Sequence, residues 1–302
     1  MSIHVRPASL KLAMAAAAIL LIGVVTMTWS KPPSPSASLR LRQPAVAGQF
    51  YPDDPGELKS MVGGFLEEAK PSAAPVRMII SPHAGFIFSG PVAAYGFASL
   101  PKTTDRVIII GPSHHALFAG MSIADVDAYA MPLGNVPLDK QAVAELKKSD
   151  MVQSLARADE PEHSVEVQIP FLQVKLGKFA IVPIVVGKVD PARAAALLVP
   201  LVGPTTVVVA SSDFSHYHPQ EEAKALDERS VQTILAGKPD GFLDACGEMP
   251  VRIVMHMAKK LGLSPVLLDK RTSGDTAPQY GTRRGVVGYA SIGFVRPASA
   301  TN

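Results

Sequence analysis

Three apolar runs in this chain end in a tight turn followed by histidine. Val76–Ile80 leads into Ser81-Pro82-His83-Ala84-Gly85, and Arg106–Ile110 into Gly111-Pro112-Ser113-His114-His115. Val207–Ala210 leads into Ser211-Ser212-Asp213-Phe214-Ser215-His216. Five of the eight histidines (His83, His114, His115, His216, His218) lie in or beside these turns. Imidazole changes charge near neutral pH and is the commonest protein metal ligand. In open α/β sheets, ligands bind in the crevice beyond the carboxyl ends of the strands. Three histidine turns delivered to one such edge would make a metal or acid–base site.

Each candidate also has an ordinary reading. His83 could be a turn histidine bonded to backbone. His114 and His115, being adjacent, point in different directions, so one can face a site while the other packs or stays in solvent. Asp213 and His216 sit three residues apart, which would put them on one side of a helical first turn. There the carboxylate could fix the imidazole tautomer, or simply cap the helix. Glu162, His163 and Glu166 could share one side of a helix start, where acidic groups are also favoured by the helix dipole. Cys246, the single cysteine, is by default a buried inert thiol, with Glu248 two residues on as a rival ligand. Two histidines plus one carboxylate form an open Fe(II) site; a thiolate in place of the carboxylate softens the set and admits Cu(I) or Zn.

The elements that must carry these turns alternate. Helical periodicity marks Pro55–Glu68, Pro91–Leu100 (with proline in its first turn), Asp139–Lys148, Val165–Leu176, Pro191–Val199, Pro219–Leu235 and Pro250–Leu261. Strands are expected at Val76–Ile80, Arg106–Ile110, Ala180–Val186, Thr205–Ala210, Val266–Leu268 and Val286–Val295. They are β-branched and nearly continuous in apolar residues, as in a sheet covered on both faces. The reading is one α/β domain of about 250 residues with a central, mostly parallel sheet flanked by helices.

At 302 residues and 47% hydrophobic the chain can bury a sizeable core. Its net charge of +3 gives no electrostatic footprint for nucleic acid. One cysteine excludes an internal disulfide. No Walker loop, G-x-G-x-x-G or G-x-S-x-G occurs, so nucleotide-binding and α/β-hydrolase readings lack support. Leu12–Trp29 carries no charge; it is short for a membrane span and long for a signal-peptide core. Residues 1–30 are expected to be an N-terminal anchor or signal segment, uncleaved in preference to cleaved, placing the body outside the cytoplasm. Lys31–Pro44 is Pro/Ser-rich and reads as a linker, followed by the domain over 45–296 and a tail at 297–302.

The motifs AVAGQFYP (Ala45–Pro52), SPHAGFIFSG (Ser81–Gly90), GPSHH (Gly111–His115), EHSVEVQIPF (Glu162–Phe171), VPIVVG (Val182–Gly187) and SSDFSH (Ser211–His216) occur in order. Over roughly Pro44–Phe294 the chain resembles the Memo-like family, also called AmmeMemoRadiSam system protein B. The resemblance implies a fold like that of class III extradiol dioxygenases, which are non-haem Fe(II) enzymes. It implies His83, His114 and Cys246 as metal ligands, the cysteine standing where the dioxygenases have glutamate. It makes His216 similar to their acid–base histidine, with Asp213 and His163 lining the pocket as the other catalytic candidates. The implied cofactor is Fe(II), with copper or zinc as substitutes, and the implied ligand is a small molecule or peptide. Two functions follow as expectations: a metal-dependent redox enzyme acting on O₂ and a small phenolic substrate, or a non-catalytic binding protein with a vestigial site. The family name adds a third, an accessory role beside a radical-SAM partner. None of these fixes an oligomeric state.

Overall fold

Four strands of almost uniformly apolar sequence form the parallel centre of the sheet. Their spatial order is Val76–Ser81, Thr206–Ser211, Arg106–Pro112, Ala180–Val186. Side chains on both faces of these strands are buried, so helices must cover the sheet on each side. The computed structural model describes residues 38–281 and 285–297. The described chain forms the expected α/β domain with a central sheet flanked by helices; the sheet is mixed, with a parallel centre.

Beyond this centre the sheet turns antiparallel. Val286–Val295 runs against Val76–Ser81, and is itself flanked by Ser264–Thr272 and by the short strand His216–His218. At the other edge lie Met121–Ser122 and Val152–Gln153. A separate small sheet joins Leu41–Arg42, Ala128–Tyr129 and Val136–Pro137.

The strand order positions the site. Thr206–Ser211 lies between Val76–Ser81 and Arg106–Pro112, and all three run parallel, with Ser81 beside Ser211 and Ile110 beside Ala210. Their carboxyl ends, and so all three histidine turns, emerge at one edge.

Several elements differ from the sequence reading. The second helix spans Phe86–Ala98, with Pro91 inside it rather than in its first turn. It begins early because the Phe86 N–H is taken by the Phe50 carbonyl at 2.7 Å. Packing starts before Ala45, within the stretch read as linker, because Arg42 is buried and ion-paired with Glu166. His216 is not in a helical turn with Asp213: Ser212–Ser215 is non-helical, and His216 opens a strand on Val286–Val295.

The expected anchor or signal segment lies outside the described residues. Among the described residues no helix is long and apolar enough to cross a membrane. The membrane and signal reading, and the extracytoplasmic location built on it, are accordingly withdrawn.

Candidate metal centre

His83 leaves the end of Val76–Ser81 in a turn that the neighbouring strand holds in place. The Asp213 carboxylate accepts the His83 backbone N–H at 2.7 Å. Asp213 therefore braces the backbone of the His83 turn rather than pairing with His216. The His83 ring is 3% exposed, and its Nδ1 meets Ser211 Oγ at 2.8 Å. Burial, reinforced by nearby His114, lowers the His83 pKa to about 3.

His114 comes from the end of Arg106–Pro112 and reaches solvent. Both its backbone N–H and its ring are held by one carboxylate: Glu162 accepts the N–H at 2.6 Å and faces Nδ1 at 2.9 Å. Glu162 is itself 1% exposed. Burial pushes its carboxyl up, but hydrogen bonds from the His114 ring and from the His114 and Ser164 N–H groups outweigh it and hold the pKa at about 2. A carboxylate accepts only, so His114 donates from Nδ1 and Nε2 is left as a ligand atom. This is the carboxylate–histidine pairing found behind metal-binding imidazoles.

Cys246 is brought in by the loop ahead of helix Glu248–Leu261. Its N–H donates to the Asp213 carbonyl at 3.2 Å, and Gly247 N–H donates to Ser212 Oγ at 3.0 Å. The close approach requires glycine: a Cβ at Gly247 would fall 2.4 Å from the Ser211 carbonyl oxygen and 2.5 Å from Ser212 Cβ. Gly247→Ala is expected to cost about 1–3 kcal/mol, the range for overpacking, measured as a lowered urea midpoint. An unchanged midpoint would show that the loop can move away freely.

The Cys246 sulfur lies 3.1 Å from His83 Nε2. Donor atoms of His83, His114 and Cys246 all fall within 4.8 Å of one another. Burial, then the Asp213 charge, raise the Cys246 pKa above the ordinary thiol range; coordination would release that proton. The donor set of two imidazole nitrogens and one thiolate, open on the His114 side, fits a soft or borderline transition-metal ion. Glu248 does not compete: its carboxylate pairs with Arg252 at 2.8 Å and is half exposed.

His163 stacks on His114, with ring centroids 4.7 Å apart, and meets His83 edge-on at 5.6 Å. It forms a second donor group with His114 and Glu162. Burial first, and His83 next, lower its pKa to about 4. His216 stands near enough to weigh on the charges of both His83 and Asp213. His115 turns outward, and Glu166 lies away from the site, accepting from Ala45 N–H, Tyr51 Oη and Arg42. Sequence reasoning missed Ser211, Ser164, Gln168 and Arg42. Ser211 stood in the SSDFSH motif, and Ser164 and Gln168 in EHSVEVQIPF; Arg42 lies outside the motifs.

A family model described as "Memo-like protein" matches residues 42–293. A MEMO1 family protein of Sulfolobus acidocaldarius is 38% identical over 284 residues, covering 84% of this chain and 99% of its own. One from Ignicoccus hospitalis is 36% identical over 286 residues, covering 85% and 99%. Another, from Methanosarcina mazei, is 36% identical over 274 residues, covering 84% and 99%. Among solved structures, an uncharacterized protein from Escherichia coli K12 aligns with a TM-score of 0.46 at 12% identity, over 72% of this chain and 98% of that one.

Proposed function

The chain belongs to the Memo-like protein family, and on that premise we propose that it is a metal-binding protein whose His83, His114 and Cys246 hold one Fe(II) or copper ion for redox work on a small molecule. The convergence of these three donors within 4.8 Å carries the reading. It is supported by the way both imidazoles are held from behind at Nδ1, by Ser211 and by Glu162.

When bound, such an ion supplies electron exchange with a molecule in the open position beside it. The protein's part is arrangement. Glu162 keeps the His114 ring in one orientation, and Asp213 fixes the loop that carries His83. His163, stacked against His114, forms a wall of the site and, as a neutral imidazole, is placed to take a proton from a molecule there. His216, which opens the short strand after the Asp213 turn, is the second proton carrier. Zinc fits the same donors and would make the site a Lewis acid without redox chemistry.

Anaerobic titration of the purified protein with Fe(II), and separately with Cu(I), should end near one equivalent. Binding of neither ion at micromolar concentration would overturn the proposal. Cysteine in the third position favours one alternative, a ligand-holding protein without turnover, because thiolate changes the ion's electronics. Oxygen consumption by the loaded protein in the presence of catechols separates the two: uptake supports redox work, whereas tight binding with no uptake supports the alternative.

A further inference from the structure

A single segment, Glu162–Gln168, reaches the back of both histidines. Glu162 holds His114 directly. On the His83 side the contact runs through Ser211. Gln168 Nε2 donates to Ser211 Oγ at 2.9 Å and to the Pro82 carbonyl at 3.0 Å. The Ser211 hydroxyl in turn donates to the Ser164 carbonyl at 2.6 Å.

A serine hydroxyl has one proton to give and two lone pairs to receive. At Ser211 the proton is spent on Ser164 and one lone pair is filled by the Gln168 amide. Only an acceptor site remains to face His83 Nδ1 at 2.8 Å. The His83 ring must therefore carry its proton on Nδ1 and present a bare Nε2 toward Cys246 and His114. Gln168, Ser211 and Ser164 are each at most 1% exposed, so water does not offer this hydroxyl another partner.

We infer that Ser211 and Gln168 are positioning residues that fix the Nδ1–H tautomer of His83, so that one segment, Glu162–Gln168, presets the metal-facing nitrogens of both histidines. This rests on the metal-binding reading, which gives Nε2 its purpose. The tautomer itself is a property of the protein without metal.

The test uses metal-free full-length protein with 15N-labelled histidine. Long-range 15N–1H correlation should show the neutral His83 ring protonated at Nδ1 and bare at Nε2. A proton on Nε2 in the native protein would overturn the inference with no variant needed. Ser211→Ala should release the ring into a mixture of tautomers. It should also weaken Fe(II) binding by about 10–100-fold, the usual effect of losing an outer partner of a ligating imidazole. Gln168→Met, which keeps the hydroxyl and removes only the amide, should shift the tautomer less and weaken binding by under about 10-fold. Wild-type affinity and an unchanged tautomer in Ser211→Ala would also refute it. If native protein binds no metal while His83 is protonated at Nδ1, the metal reading fails and the positioning inference stands.

Discussion

Replacing His83 or His114 with alanine should remove stoichiometric metal binding, whereas Glu248→Ala should leave it intact. Four-ligand structural sites bind with roughly 10–16 kcal/mol, or about 2.5–4 kcal/mol for each donor. Losing one donor of three therefore weakens binding by about two to three powers of ten. The two variants should differ in stability. His83 is buried and its loss opens a cavity beside Ser211, whereas His114 is solvent-facing and its loss leaves a smaller gap. Metal content by elemental analysis after anaerobic loading and desalting gives the answer, with thermal melts reporting on folding. Full occupancy in both histidine variants would remove this site from consideration, and loss of metal in Glu248→Ala would move the third ligand from Cys246.

Arg42→Met should destabilise the fold by about 3–5 kcal/mol, although it leaves the metal donors untouched. The Arg42 guanidinium is buried and donates to the Glu166 carboxylate and to the Glu162 and Asp159 carbonyls. Glu166 also accepts from Ala45 N–H at 2.7 Å, Val46 N–H at 3.1 Å and Tyr51 Oη at 2.5 Å. Removing the cation leaves a carboxylate in the interior without its counter-charge, and the interior solvates an unpaired ion poorly. For a domain of this size, melting should fall on the order of 10 °C. A double variant with Glu166→Met should lose less than the sum of the single changes, because removing both charges spares the unpaired ion. A melting point within a degree of native for Arg42→Met would mean that water reaches the pair.

Much of the fold was legible in the sequence. Pro55–Glu68, Ala180–Val186 and Val286–Val295 agree with the structure residue for residue. Local physics decides them: Asp54 caps the first, and β-branched runs define the other two. Pro91 misled the reading of the second helix, since the Phe50 carbonyl that lets the helix begin at Phe86 lies far away in sequence. Two-residue strands such as Leu41–Arg42 carry no periodicity, and only their tertiary partners define them. The two histidine donors of the candidate site were legible because strand ends followed by histidine form a pattern, whereas Cys246 was singled out as a ligand only through the resemblance to the Memo-like family. Of the groups that orient them, Glu162 and Asp213 stood among the sequence candidates, whereas Ser211 and Gln168 did not. Ser211 lies 128 positions from His83, and Arg42 lies 124 from Glu166.

The interleaved strand order has a consequence for how the protein is assembled. His83 and Cys246 are 163 positions apart, and the strand between His83 and His114 in space, Thr206–Ser211, follows both of them in sequence. No contiguous fragment short of that span can hold the donor set, so the centre does not exist until the chain has closed long loops, a slow and entropically costly part of folding. An ion held there would act as a late cross-link, joining segments that lie far apart in sequence. An ion that binds the finished fold and not the open chain would link metal supply thermodynamically to folding yield.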